Sequence, residues 1–259
     1  MSIDPLSGSI ASFLLGLIVG SFLNVCIYRI PKGESIVFPS SKCTQCGNSL
    51  KWYHNIPVAS YLALRGRCAF CGKPISFVYP LVELCMGLLS LALFAKFGWS
   101  WTFLFLFLFL AALVVVTFID LQLQIIPDVI SLPGIAVGFG SSFLRPELSV
   151  WDSLIGIVAG GGALLAVFLV YYALTKREGM GIGDVKLLAM IGAFLGWRSL
   201  LFVILSSSLL GAVSGLAVML IKSRNIKLAI PFGPFLSLGA VMYLFFGKEI
   251  ITWYLGLLH

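Results

Sequence analysis

Charged side chains are scarce in this chain: they make up 10% of its 259 residues, whereas a soluble globular domain carries about 25%. So few charges cannot cover a water-facing surface, which excludes a soluble domain and a disordered segment. Nucleic-acid binding is excluded on the same ground, despite a net charge of +7. Since 60% of the residues are hydrophobic and the mean hydropathy is +1.07, the composition predicts a polytopic protein of the lipid bilayer.

Histidine is also nearly missing, with only His54 and the final residue, His259. A serine–histidine arrangement therefore has no good candidate base. The chain contains no H-E-x-x-H metalloprotease motif and no Walker-type phosphate loop. Any catalysis must therefore depend on other residue types.

Long apolar runs are what the chain has in abundance. A spanning helix needs about 20 mainly apolar residues, and eight segments approach that length. The fourth and sixth are the weakest, because they are short and interrupted by glycine. We predict an all-α polytopic membrane protein of about eight transmembrane helices, with most glycines serving close helix packing. The predicted segments are 9–28, 80–97, 101–120, 128–144, 151–174, 183–197, 199–221 and 232–255.

The distribution of Lys and Arg predicts the orientation. Thirteen of the 17 basic residues follow the first, fifth and seventh apolar segments. Cytoplasmic loops carry this excess, so the 31–79 segment is expected in the cytoplasm and both termini outside. The first run follows Asp4 and precedes Arg29, unlike a signal peptide. We predict a first helix in residues 1–30, a cytoplasmic zinc loop in residues 31–79 and a transmembrane peptidase domain in residues 80–259.

The only large polar segment holds two C-x-x-C-G sequences. Cys43 and Cys46 form the first pair, and Cys68 and Cys71 form the second. Four thiolates at this spacing are typical of a structural, tetrahedral zinc site. The glycine after each pair permits a tight turn around the metal. Two disulfides are disfavoured by a reducing cytoplasm, and a redox dithiol would need only one C-x-x-C.

Three aspartates are predicted at membrane boundaries on the cytoplasmic side, where a carboxylate is costly and usually functional: Asp120, Asp128 and Asp184. Asp128 begins the fourth apolar segment, so helix capping explains it equally well. Asp120 ends the third apolar segment, where a negative charge is unfavourable to the helix dipole. Asp184 begins the sixth, so helix capping is the competing interpretation. Two adjacent carboxylates can share one proton and activate water against a peptide carbonyl. The glycines before Asp184, which permit close approach of backbone or substrate, are Gly179, Gly181 and Gly183.

Seven sequence blocks, in one order, resemble the bifunctional type IV prepilin peptidases, a family of G-x-G-D intramembrane aspartic proteases that also methylate their product. No departure is found at the most important positions. The blocks are G-S-F-L-N-V (20–25), F-P-S-S-K-C-T-Q-C (38–46), R-C-A-F-C-G-K-P-I-S (67–76), Y-P-L-V-E (79–83), I-D followed by I-P-D (119–128), G-I-G-D-V-K-L (181–187) and P-F-G-P-F (231–235).

The resemblance implies a function and a set of residues. Members cut the basic leader from prepilins and type II secretion pseudopilins at the cytoplasmic face of the bacterial inner membrane. They then methylate the new amino terminus with S-adenosylmethionine. By motif, Asp120 and Asp184 are the catalytic pair, Gly181 and Gly183 support the catalytic loop, and Asp128 is structural.

The cysteine loop belongs to the methyltransferase half of the family. Gly66, Arg67 and Glu83 are our candidates near S-adenosylmethionine, although turn formation and a loop-to-helix charge explain them equally well. Three other functions stay open: a G-x-G-D protease without methylation, a proton- or ion-coupled transporter using its embedded aspartates, and a non-enzymatic assembly factor. Inverted repeats, expected of a transporter, are not evident. The oligomeric state is unknown from sequence.

Overall fold

The structure is a computed structural model that describes residues 4–176, 181–221 and 231–256. Within these ranges the regular structure is helical, without a β-strand, and β pairing is limited to two isolated bridges. The all-α prediction is therefore confirmed for the described residues. The helices are α1 (Pro5–Arg29), α2 (Ala59–Ala63), α3 (Val78–Phe97), α4 (Trp101–Leu123), α5 (Asp128–Ser141), α6 (Val150–Thr175), α7 (Ile182–Leu195), α8 (Arg198–Ile221) and α9 (Gly233–Gly256).

Five segments in the described part of the chain are long and apolar enough to cross a membrane, so a multi-pass membrane protein is confirmed. They are Pro5–Lys32, Val78–Phe97, Trp101–Leu123, Val150–Thr175 and Arg198–Leu220. The predicted total of eight spans stays a prediction. The two weakest predicted segments form α5 and α7, each of 14 residues. At 1.5 Å per residue each is about 21 Å long, shorter than the ~30 Å hydrocarbon core.

The chain divides into two compact units, Met1–Val115 and Val116–His259. In the first unit, α1 packs along α3 through small residues four positions apart. Cβ atoms at Gly16 and Gly20 would lie 2.5 Å from Met86 O and 2.7 Å from Glu83 Cα. Close backbone approach of this kind is how apolar helices associate in lipid. The small buried residues on this face of α1 are Gly8, Ser12, Gly16 and Gly20.

In the second unit, α7 is surrounded by other helices. It contacts α5, α6, α8 and α9, and its residues 187–194 are all buried. Gly156 of α6 lies against the backbone of Gly192, and a Cβ at Gly160 would lie 2.6 Å from Leu188 O. The prediction that glycines serve close packing is confirmed here, and the dense packing holds the helix that carries Asp184.

Candidate functional site

Asp120 lies in the last turn of α4. The helix continues to Leu123, so the prediction that Asp120 ends it was wrong by three residues. Gln124 then adopts a left-handed conformation, with φ +56°, and donates its backbone N–H to Asp120 O over 2.9 Å. This is a common way for a helix to end. Asp120 is only 5% exposed.

The carboxylate of Asp120 is stabilised by another helix. The backbone N–H of Gly233, the first residue of α9, donates to Asp120 Oδ2 over 2.9 Å. The first N–H groups of a helix have no partner within it and lie at its positive end. Asp120 therefore supplies a missing acceptor to α9. The unfavourable position of Asp120 at the carboxyl end of its own helix is offset by this contact.

Asp184 lies in the first turn of α7 and is 8% exposed. Gly181 is the N-cap residue, and the backbone N–H of Asp184 donates to Gly181 O over 3.2 Å. An acidic residue three positions after the N-cap occupies the acidic position of a capping box. Helix capping therefore still competes with catalysis as the role of Asp184.

The two aspartates belong to the same unit, and Ile126 packs both against Gly183, which precedes Asp184, and against Gly233, which bonds to Asp120. Both residues are buried. Where solvent is excluded, two carboxyl groups that lie close together do not ionise together readily. A pair that shares one proton can accept a proton from water with one carboxylate while the other donates a proton to a substrate carbonyl.

Ile126 packs between the glycines of this site. A Cβ at Gly183 would lie 2.8 Å from Ile126 Cβ, and one at Gly233 would lie 3.3 Å from Ile126 Cδ1. A side chain at either glycine would therefore displace Ile126. A Cβ at Gly181 would meet only Asp184 and Gly183, both at 3.8 Å. Gly179 lies outside the described residues.

Asp128 stands apart from the other two aspartates in its environment. It is the first residue of α5, and Pro127 is the N-cap residue. Its Oδ1 forms an ion pair with Lys186 Nζ over 2.7 Å, and its side chain is 57% exposed. Exposed ion pairs contribute little stability. This contact joins the starts of α5 and α7, in agreement with a structural role.

The two C-x-x-C-G sequences fold into matching turns in the first unit. In the first, Gly47 N donates to Cys43 O and Cys43 N donates to Asn48 O, each over 2.9 Å; Gly72, Cys68 and Lys73 repeat both bonds at the same distances. Gly47 and Gly72 have φ +74° and +68°, a conformation that glycine adopts without strain. The predicted tight turns are confirmed.

The four cysteines come together as a candidate metal centre. Their Sγ atoms all lie within 4.8 Å of one another, with Cys43 Sγ and Cys71 Sγ 4.0 Å apart. A tetrahedral zinc site with bonds of about 2.3 Å separates its sulfur atoms by about 3.8 Å, so the cluster fits this ion. Backbone N–H groups of Cys46 and Gln45 lower the pKa of the Cys43 thiol to about 6. Despite the backbone N–H of Lys73, desolvation and the three neighbouring thiols raise the pKa of the Cys71 thiol to about 11, so four thiolates at this spacing would require a bound cation.

The three candidates for the neighbourhood of S-adenosylmethionine have different surroundings. Glu83 is buried, and its Oε2 accepts the backbone N–H of Val58 over 2.8 Å. Gly66 has φ +67°, and a Cβ there would lie 3.0 Å from the Tyr61 ring. The side chain of Arg67 is exposed. Glu83 and Gly66 thus have structural contacts, and the cofactor role of all three stays a prediction.

Two residues near the aspartates were missed when the site was predicted from sequence: Gly233 and Ile126. A signal was present, because the P-F-G-P-F block places Gly233 between two prolines, at the start of an apolar segment. Pattern alone could not assign its N–H a partner 113 residues away.

Comparison with known proteins finds a family model that matches most of each unit. Residues 14–97 match the Bacterial Peptidase A24 N-terminal domain, and residues 107–216 match the Type IV leader peptidase family. A "Prepilin leader peptidase/N-methyltransferase" of Pseudomonas putida is 35% identical, over 96% of this chain and 94% of that protein. Proteins with the same name from Pseudomonas aeruginosa and Myxococcus xanthus are 37% and 45% identical; the matches cover 97% and 82% of this chain, and 94% and 63% of those proteins. No solved structure matches.

Proposed function

The chain belongs to the type IV leader peptidase family and is an enzyme, and from this premise we propose that it cuts the leader of type IV prepilins and type II secretion pseudopilins with Asp120 and Asp184. It then methylates the new amino terminus. The observation that carries the proposal is the burial of both carboxyl groups in one unit, with Ile126 packed against a glycine beside each of them. A buried pair of this kind is the arrangement that aspartic proteolysis requires.

Cleavage proceeds through one shared proton. The ionised aspartate accepts a proton from water as the water oxygen bonds to the scissile carbonyl carbon. The protonated aspartate donates its proton to the carbonyl oxygen, and a proton passes to the amine as the carbon–nitrogen bond breaks. Gly181 and Gly183 support the catalytic loop: Gly181 leaves room for the substrate backbone, and Gly183 leaves room for Ile126 beside Asp184.

Methyl transfer is assigned to the first unit, with zinc as its structural ion. Cys43, Cys46, Cys68 and Cys71 hold the metal, and S-adenosylmethionine supplies the methyl group. Arg67 offers an exposed guanidinium to an anionic group of the cofactor. Gly66 lies in the adjacent turn, and Glu83 lies in the second turn of α3. Segment 31–79 and both reaction sites face the cytoplasm, where the basic leader is retained and the cofactor is made. Both termini lie outside.

The test is incubation of the purified protein with a prepilin in detergent, with and without S-adenosylmethionine, followed by mass spectrometry. We expect loss of the leader mass, and then gain of one methyl group only when the cofactor is present. Cleavage without methylation would support the protease-only alternative. Absence of cleavage by correctly inserted protein would exclude the proposal.

Replacement of each aspartate tests the catalytic pair. Asp120→Asn and Asp184→Asn should both abolish cleavage while the protein still inserts, since an amide of the same size can neither accept nor donate the shared proton. Either variant cutting prepilin at nearly the wild-type rate would remove that residue from the pair.

A further inference from the structure

Asp120 is held by a residue that lies outside the G-x-G-D sequence. Gly233 N donates to Asp120 Oδ2 over 2.9 Å in a buried setting. A hydrogen bond to a buried carboxylate is charge-assisted and directional. One of the two carboxylate oxygens is therefore engaged with the backbone of α9, and Oδ1 is the oxygen left for the chemistry.

The same place admits no side chain. A Cβ at Gly233 would lie 2.6 Å from Asp120 Oδ2 and 3.3 Å from Asp120 Cγ. Carbon and oxygen atoms do not approach this closely without displacement, so any residue but glycine would move the carboxylate. The constraint is local, because Gly233 has no positive φ that would by itself require glycine.

We propose that Gly233 is a positioning residue of the peptidase site: its N–H fixes the orientation of Asp120, and its missing side chain leaves room for that orientation. The inference rests on the proposed peptidase function. With Asp120 Oδ2 held by the start of α9, Oδ1 is the oxygen available to water and to the shared proton.

The first experiment compares Gly233→Ala with wild type in steady-state cleavage of a prepilin. A displacement of the carboxylate by about 1 Å lowers the rate of chemistry by roughly 10²-fold. We therefore expect kcat to fall on this order while KM stays within about twofold, since binding of the substrate helix does not require Asp120 to be oriented. Methylation of a precleaved peptide by the same sample should be unchanged, which reports a folded protein.

Two variants serve as controls. Gly162→Ala, in α6 of the same unit, adds the same methyl group where no atom lies within 4 Å, and it should cleave like wild type. The double variant Ile126→Val, Gly233→Ala removes Ile126 Cδ1 but leaves the contact with Asp120. The kcat of the double variant, relative to that of Ile126→Val, should fall as much as the kcat of Gly233→Ala falls relative to wild type. Recovery in the double variant would mean that packing against Ile126, and not Asp120, causes the loss, and would overturn the proposal.

A second measurement does not depend on the Gly233 variant folding. Backbone hydrogen exchange at Gly233 is measured in the full-length protein and in Asp120→Ala, which removes the acceptor. Faster exchange in Asp120→Ala is expected, and equal exchange would contradict the bond. Wild-type cleavage by Gly233→Ala would overturn the positioning role while leaving the proposed function intact. Failure of wild-type protein to cleave would instead count against the proposed function, with the exchange result still valid.

Discussion

At the scale of single residues, the three boundary aspartates differ in what surrounds them. Asp120 and Asp184 are buried, and Asp120 accepts a backbone N–H from Gly233. Asp128 is exposed and paired with Lys186. The cost of burying a carboxylate is offset only partly by one hydrogen bond, so the first two are expensive for the fold. That expense is the physical argument for a functional role.

The exposed pair gives a prediction that contrasts with the catalytic one. Asp128→Asn removes the ion pair with Lys186, and an exposed pair contributes about 0–1 kcal/mol. Cleavage should therefore stay within a few-fold of wild type, with a small change in thermal midpoint. The measurement is the prepilin cleavage assay, with Asp184→Asn as the comparison variant because Asp184 lies only two residues from Lys186. If correctly inserted Asp128→Asn lost as much cleavage activity as Asp184→Asn, a structural role for Asp128 would be contradicted.

At the scale of elements, glycines on one helix face determine how closely the next helix packs. Gly156 and Gly160 of α6 are four residues apart and face the α7 backbone at Gly192 and Leu188. A Cβ at neighbouring Gly162 would have no atom within 4 Å. The glycine cluster of α6 thus contains packing positions and open ones.

This difference predicts opposite effects of the same substitution. Gly160→Ala would place a methyl group 2.6 Å from Leu188 O, and overpacking of this kind costs about 1–3 kcal/mol. Gly162→Ala adds a better helix former in open space, worth up to about 1 kcal/mol. Thermal unfolding in one detergent should show a lower midpoint for the first and an equal or higher midpoint for the second. Equal midpoints for both variants would refute the packing assignment.

The cysteine segment is the other element whose stability can be predicted. Its large apolar side chains are mostly exposed, Val37, Phe38 and Trp52 among them, so it has little core of its own. Binding of a metal by four thiolates would supply the folding energy. We expect one zinc ion per chain, and faster proteolysis of residues 31–79 after chelation. Metal analysis finding no zinc in protein purified without chelator would contradict this prediction.

At the scale of the whole molecule, the two units carry different candidate sites. The cysteine cluster lies in Met1–Val115, and the aspartates lie in Val116–His259. The two family matches, 14–97 and 107–216, fall largely on the same division. The sequence-based boundary at residue 79 stays a prediction, although α3 packs with α1 in the first unit.

Separate units predict separable activities. Replacing Cys43 and Cys46 by Ser removes two thiolates and loosens the first unit's loop. Methyl transfer should fall sharply, whereas cleavage should fall only a few-fold, because close helix packing holds the aspartates. Both reactions are measured on one sample of the double variant and a prepilin. Equal loss of both in inserted protein would mean that the loop also positions substrate for cleavage.

The positions of the helices and the cysteine cluster were predicted from the sequence alone. The apolar runs predicted eight helices of the described residues, all but the five-residue α2, to within a few positions, because the backbone of an apolar run in lipid must satisfy its own hydrogen bonds, as a helix does. The spacing of Cys43, Cys46, Cys68 and Cys71 predicted their cluster, since two C-x-x-C turns suit one tetrahedral ion. The helices depend on local sequence, and the cysteine spacing follows the known geometry of a tetrahedral metal site, so both can be predicted from sequence.

The tertiary structure decided which partners the costly groups have. Asp120 bonds to Gly233, 113 residues later, and the short α7 is buried by helices from both sides of it in the chain. No periodicity encodes such a pairing, because lipid is as apolar as the helix faces and helices choose neighbours by shape and by their few polar contacts. The sequence thus predicted that Asp120 needed compensation, and only the position of the start of α9 beside Asp120 determined which group provides it.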